Sequence, residues 1–167
     1  MVGAQSRVWL ALIGALALAL AAGACARHDT ESDLAAGAGY AAAGPGSVQE
    51  FNQTVGDRVF FDTDQTDLSA TAQATLDKQA AWLNQYNRYA FTIEGHADER
   101  GTREYNFALG ARRAQAVHDY LAAKGVSPSR MKTISYGKER PVAVCDDISC
   151  WSQNRRAVTV LNGAPGS

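Results

Sequence analysis

Polar and apolar positions divide this chain into a short series of elements. Phe91 and Ile93 alternate with Thr92 and Glu94, the two-residue period of a half-buried strand. Gly95 breaks the alternation, and His96, Asp98, Glu99, Arg100 and Gly101 follow as a polar loop. Leu109, Arg113, Val117 and Leu121 then recur every fourth residue, which marks one face of a helix closed by Gly125. Ahead of this unit, Arg58–Asp62 reads as a short strand. Ser69 reads as the N-cap of a helix running to about Gln85, with Ala72, Leu76, Ala80 and Leu83 on its inner stripe. Behind it, Met131–Tyr136 and Arg156–Leu161 read as strands. The loop between them covers 137–155, with a helical turn near its end. Strand, helix, strand, helix, strand, strand predicts an α/β (α+β) sandwich, in which two helices cover one face of a small mixed sheet.

Arg113 is the anomaly in this pattern. It stands on the inward stripe, where an apolar side chain would fit, and a buried charge needs partners. Arg112 points about 100° away and can reach water. Asp98 lies in the strand-end loop, and Asn106 shares the face of Arg113. Two readings follow: a pocket of opposite charges suited to a zwitterion, or a structural Asp98–Arg113 salt bridge that binds nothing.

The ends of the chain fall outside this pattern. Arg7 and the apolar run Val8–Ala22, followed by Ala22, Gly23 and Ala24 before Cys25, have the layout of a signal peptide over residues 1–24. The small residues before Cys25 resemble the lipobox of bacterial lipoproteins, in which that cysteine is lipidated. The usual Leu three positions earlier is Ala22 here. Residues 25–55 are rich in Ala, Gly and Ser, and the composition predicts a flexible tether. The folded domain is expected over 56–163 and a frayed tail over 164–167. The net charge is −1, so nothing marks a nucleic-acid footprint. With Cys25 lipidated, Cys145 and Cys150 remain, and an oxidising compartment allows them a disulfide. Glu94, His96 and Asp98 lack a second His at ligand spacing, and no serine sits in a G-x-S-x-G elbow, so neither a metal site nor a hydrolase can be assembled.

GHADERG (95–101) followed by YNFALGARRAQAVHDYL (105–121) closely resembles the peptidoglycan-binding motif of OmpA-like domains. SYGKERP (135–141) and NRRAV (154–158) extend the likeness over about Val59–Leu161. Within the family the pattern is most similar to the peptidoglycan-associated lipoproteins. The resemblance implies the OmpA-like βαβαβ fold and non-covalent binding of the stem peptide that carries meso-diaminopimelate, without cofactor or catalysis. Asp98 matches the aspartate that takes the ligand ammonium, and Arg113 the arginine that takes its carboxylate. Asn106 and Leu109 match positions that shape the pocket. Phe61 and Asp62 match its lining loop, and Arg155 a residue beside it. The implied partners are TolB and the other Tol proteins, and the implied location is the periplasmic face of the outer membrane, anchored through Cys25. Other OmpA-like anchors, such as flagellar stator subunits or porin terminal domains, and cell-wall hydrolases are the alternatives.

Overall fold

The computed structural model describes residues 44–162. The expected signal peptide, Cys25, most of the tether and the extreme C-terminus lie outside them. The elements in order are α1 (Val48–Glu50, running into a π-helical turn at Phe51–Gly56), β1 (Arg58–Phe60), α2 (Ala70–Gln85), β2 (Phe91–His96), α3 (Arg103–Ala123), β3 (Met131–Gly137), α4 (Ile148–Asn154) and β4 (Arg156–Leu161). The sheet order is β1-β4-β2-β3. β2 and β3 run parallel, and β4 lies antiparallel to both β1 and β2.

The two long helices, α2 and α3, form where the sequence says they should. Ser69 caps α2 by accepting from the Ala72 amide at 3.2 Å, and Thr102 caps α3 by accepting from Tyr105 at 3.2 Å. Gly125, just past α3, takes φ +88°, a conformation that favours glycine. Leu76, Ala80 and Leu83 of α2 join Val117 and Leu121 of α3 in one core with Phe91 and Ile93 of β2.

Gly95 and Gly110 set the depth of that packing. A Cβ built on Gly95 would run into the carbonyl of Gly110, and one built on Gly110 into the Ser135 hydroxyl. Two bare backbones therefore let α3 lie directly on β2. This contact carries the N-terminal half of α3, with Asn106, Leu109 and Arg113, against the loop that follows β2.

The tether expected through residue 55 ends earlier than its composition suggests. Ser47 caps α1, and Phe51 is completely buried, its ring 4.9 Å from that of Trp82. The Glu50 carboxylate accepts from Trp82 Nε1 at 2.8 Å and from the Gly46 amide at 2.7 Å. Burying one phenylalanine contributes about 2 kcal/mol, enough to dock a short segment. The small residues around it hide this when composition is averaged over the stretch. α4 likewise forms two turns of helix where a single turn was expected, and β1 is only three residues long, releasing Phe61 and Asp62 into the next loop.

Candidate functional site

Three segments meet at the end of the sheet: the β1–α2 loop, the β2–α3 loop, and α4 with the residue that follows it. Arg113 joins the first two. Its side chain is fully buried and donates from Nε to the Gln65 carbonyl (2.9 Å), from Nη1 to that of His96 (2.9 Å) and from Nη2 to that of Asp62 (3.0 Å). The guanidinium sits 5.1 Å from the Phe61 ring centroid. Burial, then the Arg155 charge, pushes its pKa down to about 10, so it stays charged at neutral pH. Three of its five N–H groups go to backbone oxygens, which leaves two without a backbone partner.

The structural Asp98–Arg113 salt bridge, one of the two readings of the sequence, is not formed. Asp98 is 7% exposed and pairs instead with Arg100 at 2.7 Å and Arg155 at 3.3 Å. The Arg100 amide also donates to its Oδ1 at 3.2 Å. An arginine two residues along the same loop meets the carboxylate first, and Arg113, committed to carbonyls, does not compete. Burial pushes the Asp98 carboxyl up, but the hydrogen bonds from Arg100 and Arg155 outweigh it and hold it below its ordinary value of 3.8.

Asn106 is buried and donates to the Arg100 carbonyl at 2.6 Å, bracing the loop from α3. Leu109 is buried on the same helix. Arg155 donates from Nε to the Phe61 carbonyl at 3.0 Å, so one side chain links all three segments.

A groove opens beside this cluster. One lobe, of about 390 Å³, is lined by Phe61, Asp62, Asp67, Ser69, Gln153 and Arg155. A second, of about 710 Å³, shares Asp62, Asp67, Ser69 and Arg155 and adds Thr63, Gln65 and Ile148. Of the residues expected at the site, Phe61, Asp62 and Arg155 line the groove. Asp98, Asn106, Leu109 and Arg113 form the layer behind it. A separate pocket of about 590 Å³, between the start of α3 and the end of β3, holds none of them.

The sequence reading missed Arg100 and Trp151. The Arg100 guanidinium lies 4.3 Å from the Trp151 ring centroid, and Trp151 Nε1 donates to Glu99 Oε1 at 2.8 Å. Arg100 was in view inside GHADERG, two residues from Asp98, a spacing at which side chain and backbone can both reach a carboxylate. Nothing in the sequence places Trp151 beside it.

His96 lies deeper, 2% exposed, with neither ring nitrogen hydrogen-bonded and Glu94 at 3.8 Å. Burial, then the charges of Arg156, Arg140 and Arg58, pushes its pKa down to about 4. Among the described residues no three His, Cys, Asp or Glu side chains gather as metal ligands. Cys145 and Cys150 are joined in a disulfide, with Cα atoms 5.7 Å apart.

The OmpA family profile matches residues 60–155, which takes in the groove and the layer behind it. The chain belongs to the OmpA family. Its relatives there include the peptidoglycan-associated lipoprotein of Rhizobium meliloti, 64% identical over 96% of this chain and 90% of that one. That of Agrobacterium fabrum is 65% identical over 90% of this chain and 86% of the relative. The crystal structure of the peptidoglycan-associated lipoprotein from Burkholderia pseudomallei superposes with a TM-score of 0.64 at 40% identity, covering 66% of this chain and 96% of that one. The C-terminal domain of Helicobacter pylori MotB shares the OmpA-like fold at 21% identity, with a TM-score of 0.61 over 65% of this chain and 86% of that one.

Proposed function

We propose that this protein ties the outer membrane to the cell wall by binding peptidoglycan without covalent chemistry. The observation that carries the reading is the groove at the sheet end, backed by one buried carboxylate and two buried guanidinium groups. Such a set of opposite charges complements the ammonium and carboxylate on the side-chain carbon of meso-diaminopimelate. Asp98 takes the ammonium. Arg113, fully buried behind the groove, takes the carboxylate with its two remaining N–H groups once the loop above it yields, and Arg155 closes the pocket from the α4 side. Phe61 and Asp62 line the approach, while Asn106 and Leu109 hold the shape. Charge-assisted hydrogen bonds of this kind are the strong ones, and water exclusion strengthens them further.

The anchor is a lipid on Cys25, placed by the small residues before it, with residues 26–43 as the connection to the folded domain at the periplasmic face. The names of the relatives support the lipoprotein assignment. Work with TolB and the other Tol proteins in envelope integrity and division completes the reading.

Co-sedimentation of the detergent-solubilised full chain with purified sacculi tests it. Free meso-diaminopimelate competes, and Asp98→Asn weakens binding about 10-fold, the equivalent of one charge-assisted contact. Unaltered binding by Asp98→Asn, or no competition, refutes the site. Intact-mass analysis that finds Cys25 unmodified refutes the anchor.

A further inference from the structure

We infer that Trp151 is a positioning residue of this groove, and that the Cys145–Cys150 disulfide is the clasp that keeps it in place. The inference rests on the reading of the groove as the peptidoglycan site. Few contacts hold the turn before α4 and the start of that helix. Val144 in the turn before α4 is 81% exposed and Ile148, the first residue of the helix, is 61% exposed, so burial of these apolar side chains does not secure this end of the segment. The far end of α4 is fastened by Asn154, whose side chain accepts from the Val142 amide at 2.8 Å and donates to the Ala143 carbonyl at 2.7 Å. The near end is fastened by the disulfide, with Cys150 in the first turn of the helix.

Trp151 follows Cys150 directly, and from it the contacts run to the Asp98 carboxylate. Its indole N–H holds Glu99, and its ring face carries the Arg100 guanidinium. Arg100 in turn reaches both oxygens of Asp98, at 3.1 Å and 2.7 Å. Arg155 and the Arg100 amide also hold Asp98, so its orientation, and the edge of it left for a ligand ammonium, depend in part on where the Trp151 ring stands. Reduction by a dithiol converts the disulfide to two thiols while the reductant becomes a disulfide. The released turn then lets α4 move, and the support under Arg100 goes with it.

The test uses the detergent-solubilised full chain on sacculi, with hydrogen exchange of the 98–101 amides read in parallel. Trp151→Ala weakens binding about 5-fold, the scale of a lost cation–π contact, and quickens exchange in that loop. Trp151→Phe keeps the ring under Arg100 and recovers most of the binding. Reducing the wild type weakens binding about 3-fold, within the range of one such partly loosened contact. The Cys145→Ser, Cys150→Ser double variant already binds as the reduced protein does and ignores the reductant. The inference is overturned if Trp151→Ala binds as wild type, if Phe fails to rescue, or if reduction leaves the 98–101 exchange unchanged. Melting temperatures separate these effects from global unfolding. A wild type that ignores sacculi refutes the ligand, while the exchange experiment still decides the coupling from disulfide to loop.

Discussion

The two walls of the groove are held by different physics. The β1–α2 wall is tied from within: Arg113, fully buried, holds the carbonyls of Asp62 and Gln65 and ties them to that of His96. The α4 wall ends on buried Arg155, but the helix itself is held by a disulfide, one buried asparagine and a tryptophan at the surface beside exposed apolar residues. Damage to the first wall reaches the core, whereas damage to the second stays at the surface. The walls should therefore separate when stability and binding are measured together.

Arg113→Leu gives the largest effect. Leucine suits the apolar stripe but leaves three carbonyls without their donor. Each loses a hydrogen bond to a charged group, and removing a buried charge repays only part of that. The expected loss is about 3 kcal/mol, or about 10 °C in Tm, together with loss of sacculus binding. A variant that melts like wild type but no longer binds would mean that Arg113 serves the ligand alone.

Acid comes next, through His96, whose carbonyl Arg113 holds. In the folded protein its pKa lies at about 4, against an ordinary 6.5. The unfolded chain therefore takes up a proton that the folded one refuses. Stability is complete above about 6.5, falls as the pH drops towards 4, and by then has lost about 3 kcal/mol. Asp98, held below its ordinary 3.8, adds a further loss only at lower pH, because its stabilising contribution disappears as the carboxylate protonates. Urea unfolding of wild type and His96→Gln at pH 7 and pH 4.5 checks this, and equal pH slopes would remove His96 from the account.

These two effects also mark what the sequence could and could not say. The inward position of Arg113 was legible from a four-residue period, as were the Gly95 break and the Ser69 cap. Its partners were not, because backbone carbonyls carry no sequence signature. The eye goes to Asp98, which is taken by Arg100 and Arg155 instead. α4 is seven residues long, too short for periodicity to show, so Trp151 had no visible place. Phe51 was lost in a stretch of small residues, and its partner Trp82 lies far along the chain. Long periodic elements and local caps read well from sequence, while contacts between distant loops do not.

The disulfide is the test on the other wall. Closing so short a loop constrains the unfolded chain little, and Cys145→Ser, Cys150→Ser should lower stability by about 2 kcal/mol at most. The folded domain persists at room temperature, since its core lies in α2, α3 and the sheet. Denaturant unfolding, with the slope compared to wild type, reads this. A fully unfolded double variant would place α4 in the core.

The smallest effect belongs to Arg112→Leu, and it makes the comparison sharp. Arg112 precedes Arg113 in the same helix, and the 100° step between them turns it out to solvent. Both substitutions remove one positive charge and introduce the same side chain. If sacculi attracted the protein through net charge alone, the two variants would weaken binding alike, and added salt would erase the difference. If the buried guanidinium acts through its hydrogen bonds, Arg112→Leu stays within about 0.5 kcal/mol of wild type in stability, as exposed substitutions do, and sediments with sacculi as wild type does. The measurement is the pair of binding curves at low and high salt. Equal losses at low salt that vanish at high salt would reduce the groove to a charged surface, whereas a loss confined to Arg113→Leu at both salt concentrations assigns recognition to the inward face of α3.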